Sequence, residues 1–353
     1  MRKKPILKQS KLALIALLAA IMVLGVAITS TDALTTFQSE DILNDAIENY
    51  NSANYDAAIN ALRPLADDEG ADLEHRKDAL RYLGRCYVAT RHNQKAKAAL
   101  EKLIVLEPPL IEFDPDRESP PLMKVYYQAR KKKSNSYQLE RKDPGIKTIA
   151  IMDFRNSSIT DKEKFDPMEK GFSDILISRL NGQTDLKVVE RERLQWIIQE
   201  LEIQNKYGME GAVRAGKQLG VHVVVFGSYI IVDDKIWLSA RLVKVESSEI
   251  LFTTDVKGKP GEFFDLTEQL SQKIRKAIDG GKLSKASGPS KTTNSLEAIL
   301  SYSEGLELLE RGEYADAHQK FQKALEHDPG YEKAKLKSDS IKDLLIYSEN
   351  ETY

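Results

Sequence analysis

LKVVERERLQWIIQE, residues 186–200, decides how the middle of this chain folds. DLKVVE (185–190) is short, apolar and rich in β-branched residues, which predicts a strand. RERLQWIIQELEIQ places Leu194, Ile197, Ile198 and Leu201 on one face, which predicts a helix. A strand running straight into an amphipathic helix is the unit of an α/β layer. Upstream, KTIAIMDF (147–154) is a continuous apolar run and reads as a buried strand. EKFDPMEKGFSDILISRL (163–180) has helical spacing through Phe172, Ile175, Leu176 and Leu180. Downstream, GAVRAGKQLG (211–220) reads as a helix ending on Gly220. VHVVVFGSYIIV (221–232) is apolar on both faces and reads as a central strand. Asp233-Asp234 turns the chain into KIWLSARLVKV, where Ile236, Leu238, Ala240 and Leu242 face one side. After Glu246–Ser248, EILFTTDV returns as a strand, and GEFFDLTEQLSQKIRKAI closes the domain as a helix. The predicted order is β-α-β-α-α-β-β-β-α, a mixed sheet with helices over residues 146–279. DGGKLSKASGPSKTTN, which runs on into residues 280–294, has linker composition.

Helix pairs flank this domain. EDILNDAIENYNSAN and YDAAINALRPL (40–65) form one pair, and KDALRYLGRCYVATRHNQKAKAALEKLIVLEP (77–108) repeats the layout. AILSYSEGLELLERGEYADAHQKFQKALEHDP (298–329) repeats it again. In the last copy Gly305, Gly312, Tyr314, Ala317, Phe321, Ala324 and Pro329 fall at the offsets of a tetratricopeptide (TPR) repeat. Gly84, Tyr87, Ala96, Leu100, Leu103 and Pro108 take the matching places in the second, and Ala46, Tyr55, Ala58, Leu62 and Leu65 in the first. Small residues let two helices approach, and the larger ones fill the gap to the next pair. One pair cannot bury its own apolar face. PPLMKVYYQARKKK (120–133) is therefore expected to seal the first two copies over 38–135, and AKLKSDSIKDLLIYSE (334–349) the last, over 295–348. Stacked pairs bind extended peptides or partner helices on a concave face. Asn49, Tyr50, Tyr82, Tyr87, Tyr302 and Glu304 are the candidates for that face by their offsets.

The chain begins MRKKPILKQSK and continues into an unbroken apolar run, Leu12–Ile28. Cations before an apolar core predict a signal peptide or membrane anchor over residues 1–33. The remainder is then expected in the periplasm or cell envelope, tethered by 12–28 or released by cleavage. No cysteine sits at the end of the run to accept a lipid. The 353 residues carry 52 Lys and Arg against 54 Asp and Glu, a net charge of −2, which disfavours a nucleic-acid partner. Apolar residues at 41% and charged ones at 30% suit globular structure. With one cysteine, Cys86, neither an intramolecular disulfide nor a multi-thiolate zinc site can form.

Catalytic signatures are sparse. GMEGAVRAGKQLG has glycines, but Gly216-Lys217 precedes Gln218, not Ser or Thr, so no Walker loop is formed. The five histidines, His75, His92, His222, His318 and His327, show no metal-binding spacing. Ser228 lacks the second glycine of a nucleophile elbow. Lys131–Lys133 reads as a solvated helix end. Asp153, at the end of the first strand, and Asn156 beside it occupy the place where α/β sheets put ligands. They are the candidate small-ligand residues.

Taken together, IAIMDFRNSS, GFSDILISRL, LKVVERERLQWIIQE and LGVHVVVFGSYI resemble the CsgG/HfaB group, and also TolB N-terminal-like domains. The VVER-x-x-L-x-x-I-x-x-E pattern at 188–200 is the most specific part. The resemblance implies a bacterial envelope protein, often oligomeric, serving assembly or export rather than catalysis. Three features depart from the curli channel of that group: no lipid-accepting cysteine, no room for pore-forming hairpins, and flanking repeats that are not part of the channel protein. Two such hairpins need roughly 40 residues, and the loops Arg155–Phe165 and Asn205–Met209 are far shorter. The expectation is an α+β multidomain protein: TPR-like hairpins, a CsgG-like α/β domain and a terminal hairpin. It needs no catalytic residue, cofactor or metal. It is expected to hold envelope proteins through its repeats and to self-associate through the central domain. It touches the membrane only through the N-terminal segment. The alternatives are a small-ligand or nucleotide sensor and a curli-type channel component.

Overall fold

The computed structural model describes residues 38–106, 113–137, 148–181, 187–279 and 293–349. The expected signal peptide or anchor, 1–33, and nearly all of the expected linker, 280–294, lie outside these residues. Among those described, no helix is long and apolar enough to cross a membrane. The chain divides after residue 110 into two compact units.

Among its described residues the first unit holds four helices: α1 (38–51), α2 (Tyr55–Asp67), α3 (Leu73–Ala89) and α4 (Asn93–Leu106). α2 packs on α3 and α3 on α4, as helical hairpins require. Ala58, Ala79 and Ala96 are fully buried, so the helices meet at small residues, and Leu62, Leu80 and Leu100 fill the space between. Asp72 starts α3 by accepting from the Glu74 and His75 amides, which satisfies two orphan donors of the first turn. Cys86 is buried in this packing.

The second unit begins with α5 (Pro120–Ser134), whose two leading prolines fit the first turn, where no amide partner is needed. β1 (Thr148–Ile151), β2 (Arg155–Asn156), α6 (Lys162–Phe165), α7 (Met168–Leu180), β3 (Lys187–Val188), α8 (Arg191–Glu200) and α9 (Met209–Leu219) follow. Then come β4 (Val223–Val232), β5 (Lys235–Lys244), β6 (Glu249–Gly258) and α10 (Phe263–Asp279). The chain closes with α11 (Leu296–Arg311), α12 (Tyr314–His327), α13 (Glu332–Ser340) and α14 (Lys342–Glu349). The sheet order is β3-β1-β4-β5-β6, with β2 pairing off this path to β4. β3, β1, β2 and β4 run parallel, while β4, β5 and β6 form an antiparallel meander. The expected mixed sheet is present. The tight turn at Asp233, with φ 52°, sets the register Val232↔Lys235. Ile236, Leu238, Ala240 and Leu242 of β5 are all buried, as their alternation requires.

Four expectations are corrected. Residues 163–180 are not one helix: Pro167 cannot donate within a helix interior, so α6 stops and α7 restarts with Pro167 as its N-cap. Residues 155–165 are not a plain loop, because Arg155 and Asn156 pair with Ser228 and Tyr229 as β2. The C-terminal stretch 334–349 is broken at Ile341 into α13 and α14. α5, expected as a lid on the first two repeats, falls in the second unit and packs on α8, with Tyr127 stacked 5.3 Å from Trp196.

One apolar cluster runs through the second unit. Ile149, Ile151, Phe172, Leu176 and Tyr229 of the sheet domain join Ile299, Tyr302, Phe321, Tyr331 and Ile341 of the terminal helices. The terminal hairpin therefore shares its core with the sheet domain. Gly305 shows how tightly it closes: a Cβ there would sit 2.5 Å from the Phe321 ring.

Candidate functional site

The strand-end carboxylate is already satisfied. Asp153, 3% exposed, follows β1. Its Oδ1 accepts from Ser173 Oγ at 2.9 Å and Arg191 Nε at 3.2 Å. Its Oδ2 accepts from Arg191 Nη2 at 3.3 Å and Gln195 Nε2 at 2.9 Å. Ser173 comes from α7, and Arg191 and Gln195 from α8. Four charge-assisted hydrogen bonds occupy both oxygens, so this carboxylate is a structural anchor with no lone pair directed to solvent. Asn156, 4% exposed, lies apart from Asp153 in its bonding. Its Nδ2 donates to Lys162 O at 3.0 Å and Asp166 Oδ1 at 2.8 Å, and its Oδ1 accepts from the Ser158 amide at 3.0 Å. Asn156 thus folds the segment between β2 and α6 onto itself. The backbone N–H of Asn156 donates to Glu169 Oε1 at 2.7 Å, and the Tyr207 hydroxyl donates to the other oxygen of that carboxylate. The Tyr207 phenol is pushed up by burial and by Glu169.

The Asp153 anchor extends into a buried ionic seam between the sheet domain and the terminal helices. Arg191 also donates to Glu310 of α11, and Lys170 of α7 pairs with the same carboxylate at 2.6 Å. Burial pushes the Glu310 carboxyl up, but Arg191 and Lys170 outweigh it and hold it at about 2. Deeper in, Lys333 of α13 reaches Asp174 of α7 at 2.6 Å, and the Tyr302 hydroxyl donates to the other oxygen of Asp174 at 3.2 Å. Burial alone lowers the Lys333 ammonium, yet Asp174 and Asp116 reverse the effect and raise it. Lys337 completes the seam by donating to Pro115 O at 2.9 Å and pairing with Glu192 and Asp116. α7 can come this close because Gly171 faces Ser303 of α11, where a Cβ would lie 1.8 Å from Ser303 Oγ. None of these partnerships is readable from sequence, since each joins residues well over a hundred positions apart or ones on different helices.

The candidates for a concave face separate into three places. Tyr50 stacks on Tyr55 at 5.9 Å and edge-on to Tyr82 at 5.3 Å, and Arg85 lies 4.7 Å over the Tyr82 ring. Asn49 sits beside them, donating to Asp45 O at 2.8 Å and accepting from Asn54. Tyr87, five positions after Tyr82 and so about 140° around the helix, lines a separate groove of about 340 Å³ between α2, α3 and α4. Arg63, Lys95 and Lys102 edge that groove over a floor of Leu80, Leu83 and Ala99. Burial raises the Tyr87 phenol. Tyr302 is fully buried inside the second unit, and Glu304 is paired to Lys320. The Tyr302 ring is therefore closed to a partner, while Glu304 is partly exposed.

Among the described residues no cluster of three His, Cys, Asp or Glu side chains is placed to hold a metal ion. His222 accepts from the Thr148 amide at 3.0 Å, a structural bond between β1 and the start of β4.

Residues 130–236 match the family described as curli production assembly/transport component CsgG. The segment runs from the end of α5 to the start of β5, and it contains Asp153, Asp174 and Arg191 but neither Glu310 nor Lys333. Among curated proteins none matches this sequence. Solved structures with similarity include TolB from Acinetobacter baumannii, 14% identical, TM-score 0.26, covering 38% of this chain and 28% of that one. The LpoB C-terminal domain from Escherichia coli is 14% identical, TM-score 0.25, covering 42% of this chain and 99% of that one. Lipoprotein GNA1162 from Neisseria meningitidis is 12% identical, TM-score 0.26, covering 39% and 99%.

Proposed function

We propose that this chain is a non-enzymatic scaffold of the bacterial cell envelope, accessory to assembly or secretion of surface structures. In this reading the helical hairpins of the first unit hold a protein partner through the Tyr50–Tyr82 side, and the CsgG-like domain provides the seat in the envelope complex. The observation that carries it is the state of Asp153. The strand-end position where an α/β enzyme or sensor would receive its ligand is filled by Ser173, Arg191 and Gln195, leaving no reactive group free there. The match to CsgG over 130–236 supports the envelope assignment. The buried position of Tyr302 favours the N-terminal pairs as the partner-binding face in this reading.

The test is photo-cross-linking in cells, with a reactive residue replacing Tyr82 in one strain and Tyr302 in another. The expected result is a discrete protein adduct from position 82 and none from position 302. Loss of adducts at 82, or saturable stabilisation of the purified chain by nucleotides, would overturn the reading. A ligand at 100-fold its dissociation constant would add about 2.7 kcal/mol.

A further inference from the structure

We infer that the groove between α2, α3 and α4 receives the acidic face of α1 from a second copy of this chain, so that first units join head to tail. The groove has a volume of about 340 Å³. Its floor is apolar, with Leu80, Leu83, Tyr87 and Ala99 all buried. Ala98 and Val105 carry that surface outward along α4, since residues seven apart share a helix face. Val105 leaves 67% of its surface exposed. Three cations stand around this apolar surface. Arg63 makes no ion pair among the described residues, and Lys95 only overlies the Tyr87 ring, at 5.8 Å. Lys102 pairs with Asp67 at 2.7 Å, but both side chains are more than half exposed, so water screens the pair and it is easily exchanged. One carboxylate against three cations leaves the rim positive.

α1 carries the complement. Asp41, Asp45 and Glu48 recur at i, i+4 and i+7, which sets three carboxylates on one face of the helix. All three are exposed, and none pairs with a cation among the described residues. Ile42 stands beside Asp45 on the same side and is 43% exposed. In the docked pair Ile42 covers the apolar floor, and the three carboxylates meet Arg63, Lys95 and Lys102. Opposite potentials of this kind steer the encounter and fix its register. Both halves of the contact lie on one unit but on different helices, so the contact is heterologous. A copy that offers its α1 keeps its own groove open for the next. Tyr50 lies nine positions after Asp41, about 180° around α1. The Tyr50–Tyr82 side therefore stays uncovered, and this contact and the proposed scaffold role can each fail alone.

The test is sedimentation velocity of the full chain in a non-ionic detergent at low ionic strength, over a range of protein concentrations. Wild type is expected to form species larger than the monomer that grow with concentration and shrink with added salt. Two double variants reverse the charges: Arg63→Glu with Lys102→Glu in the groove, and Asp41→Lys with Asp45→Lys on α1. All four positions are exposed, so the fold should persist. Each variant alone is expected to associate about tenfold more weakly or worse, because like charges then face each other. An equimolar mixture of the two is expected to associate again, since each keeps the face that the other needs. That recovery also shows that both variants are folded. A wild type that stays monomeric, association that either reversal leaves unchanged, or a mixture no better than its parts would overturn the proposal.

Discussion

Replacing Glu310 with Gln removes the charge at the centre of the ionic seam while keeping the shape of the side chain. The carboxyl titrates at about 2 in the folded protein and at an ordinary 4.5 otherwise. At about 1.4 kcal/mol per pH unit, that difference contributes about 3 kcal/mol of stability at neutral pH. Because the folded value is the lower one, the contribution is fully present above about pH 4.5 and fades as the pH falls toward 2. Near pH 3 roughly half or less of it remains. The side chain is mostly buried, so solvent screening removes little of this. For a unit of this size, 3 kcal/mol corresponds to a drop in Tm of about 6–12 °C. Urea unfolding of the wild type and Glu310→Gln, from pH 7 down to pH 3, should therefore show a gap that narrows with acid. A gap under about 1 kcal/mol at pH 7, or one that stays constant across the range, would refute the assigned role of Arg191 and Lys170.

Three further substitutions probe the same junction. Lys333→Met strands the Asp174 carboxylate in the core beside the Tyr302 hydroxyl, and should cost about 3–5 kcal/mol in urea unfolding. Tyr302→Phe removes only the hydrogen bond to Asp174, so a smaller loss of about 1–2 kcal/mol is expected from the same assay. Gly171→Ala drives a methyl into Ser303 and should cost about 1–3 kcal/mol, with Ser303→Ala in the same chain restoring part of it.

The sheet was legible because its signals are local. β4 is apolar on both faces since parallel β1 and antiparallel β5 flank it and helices cover it, and β5 alternates since its lysines and Arg241 face solvent. The terminal hairpin was legible at Gly305 and Phe321, which meet across α11 and α12. What escaped was set by contacts distant in sequence. β2 is two residues long and exists only because β4 offers it an edge. Asp153 looked like a ligand residue at a strand end, and only the fold brings Arg191 and Gln195 to it. Tyr302 sits at a repeat offset that would face a groove in an isolated stack. Here α7, with Gly171 opposite Ser303, occupies that side of α11. Pro167 was the one local signal available for the break between α6 and α7.

Native-state hydrogen exchange on the full chain bears most directly on the idea that the terminal hairpin and the sheet domain are one cooperative body. Amides of α11 and α13 should open with the same free energy, and the same denaturant dependence, as those of α7 and β4. If α11–α13 exchange through a separate opening several kcal/mol cheaper, the hairpin is an independent module on a tether, and the ionic seam does not bind the unit together.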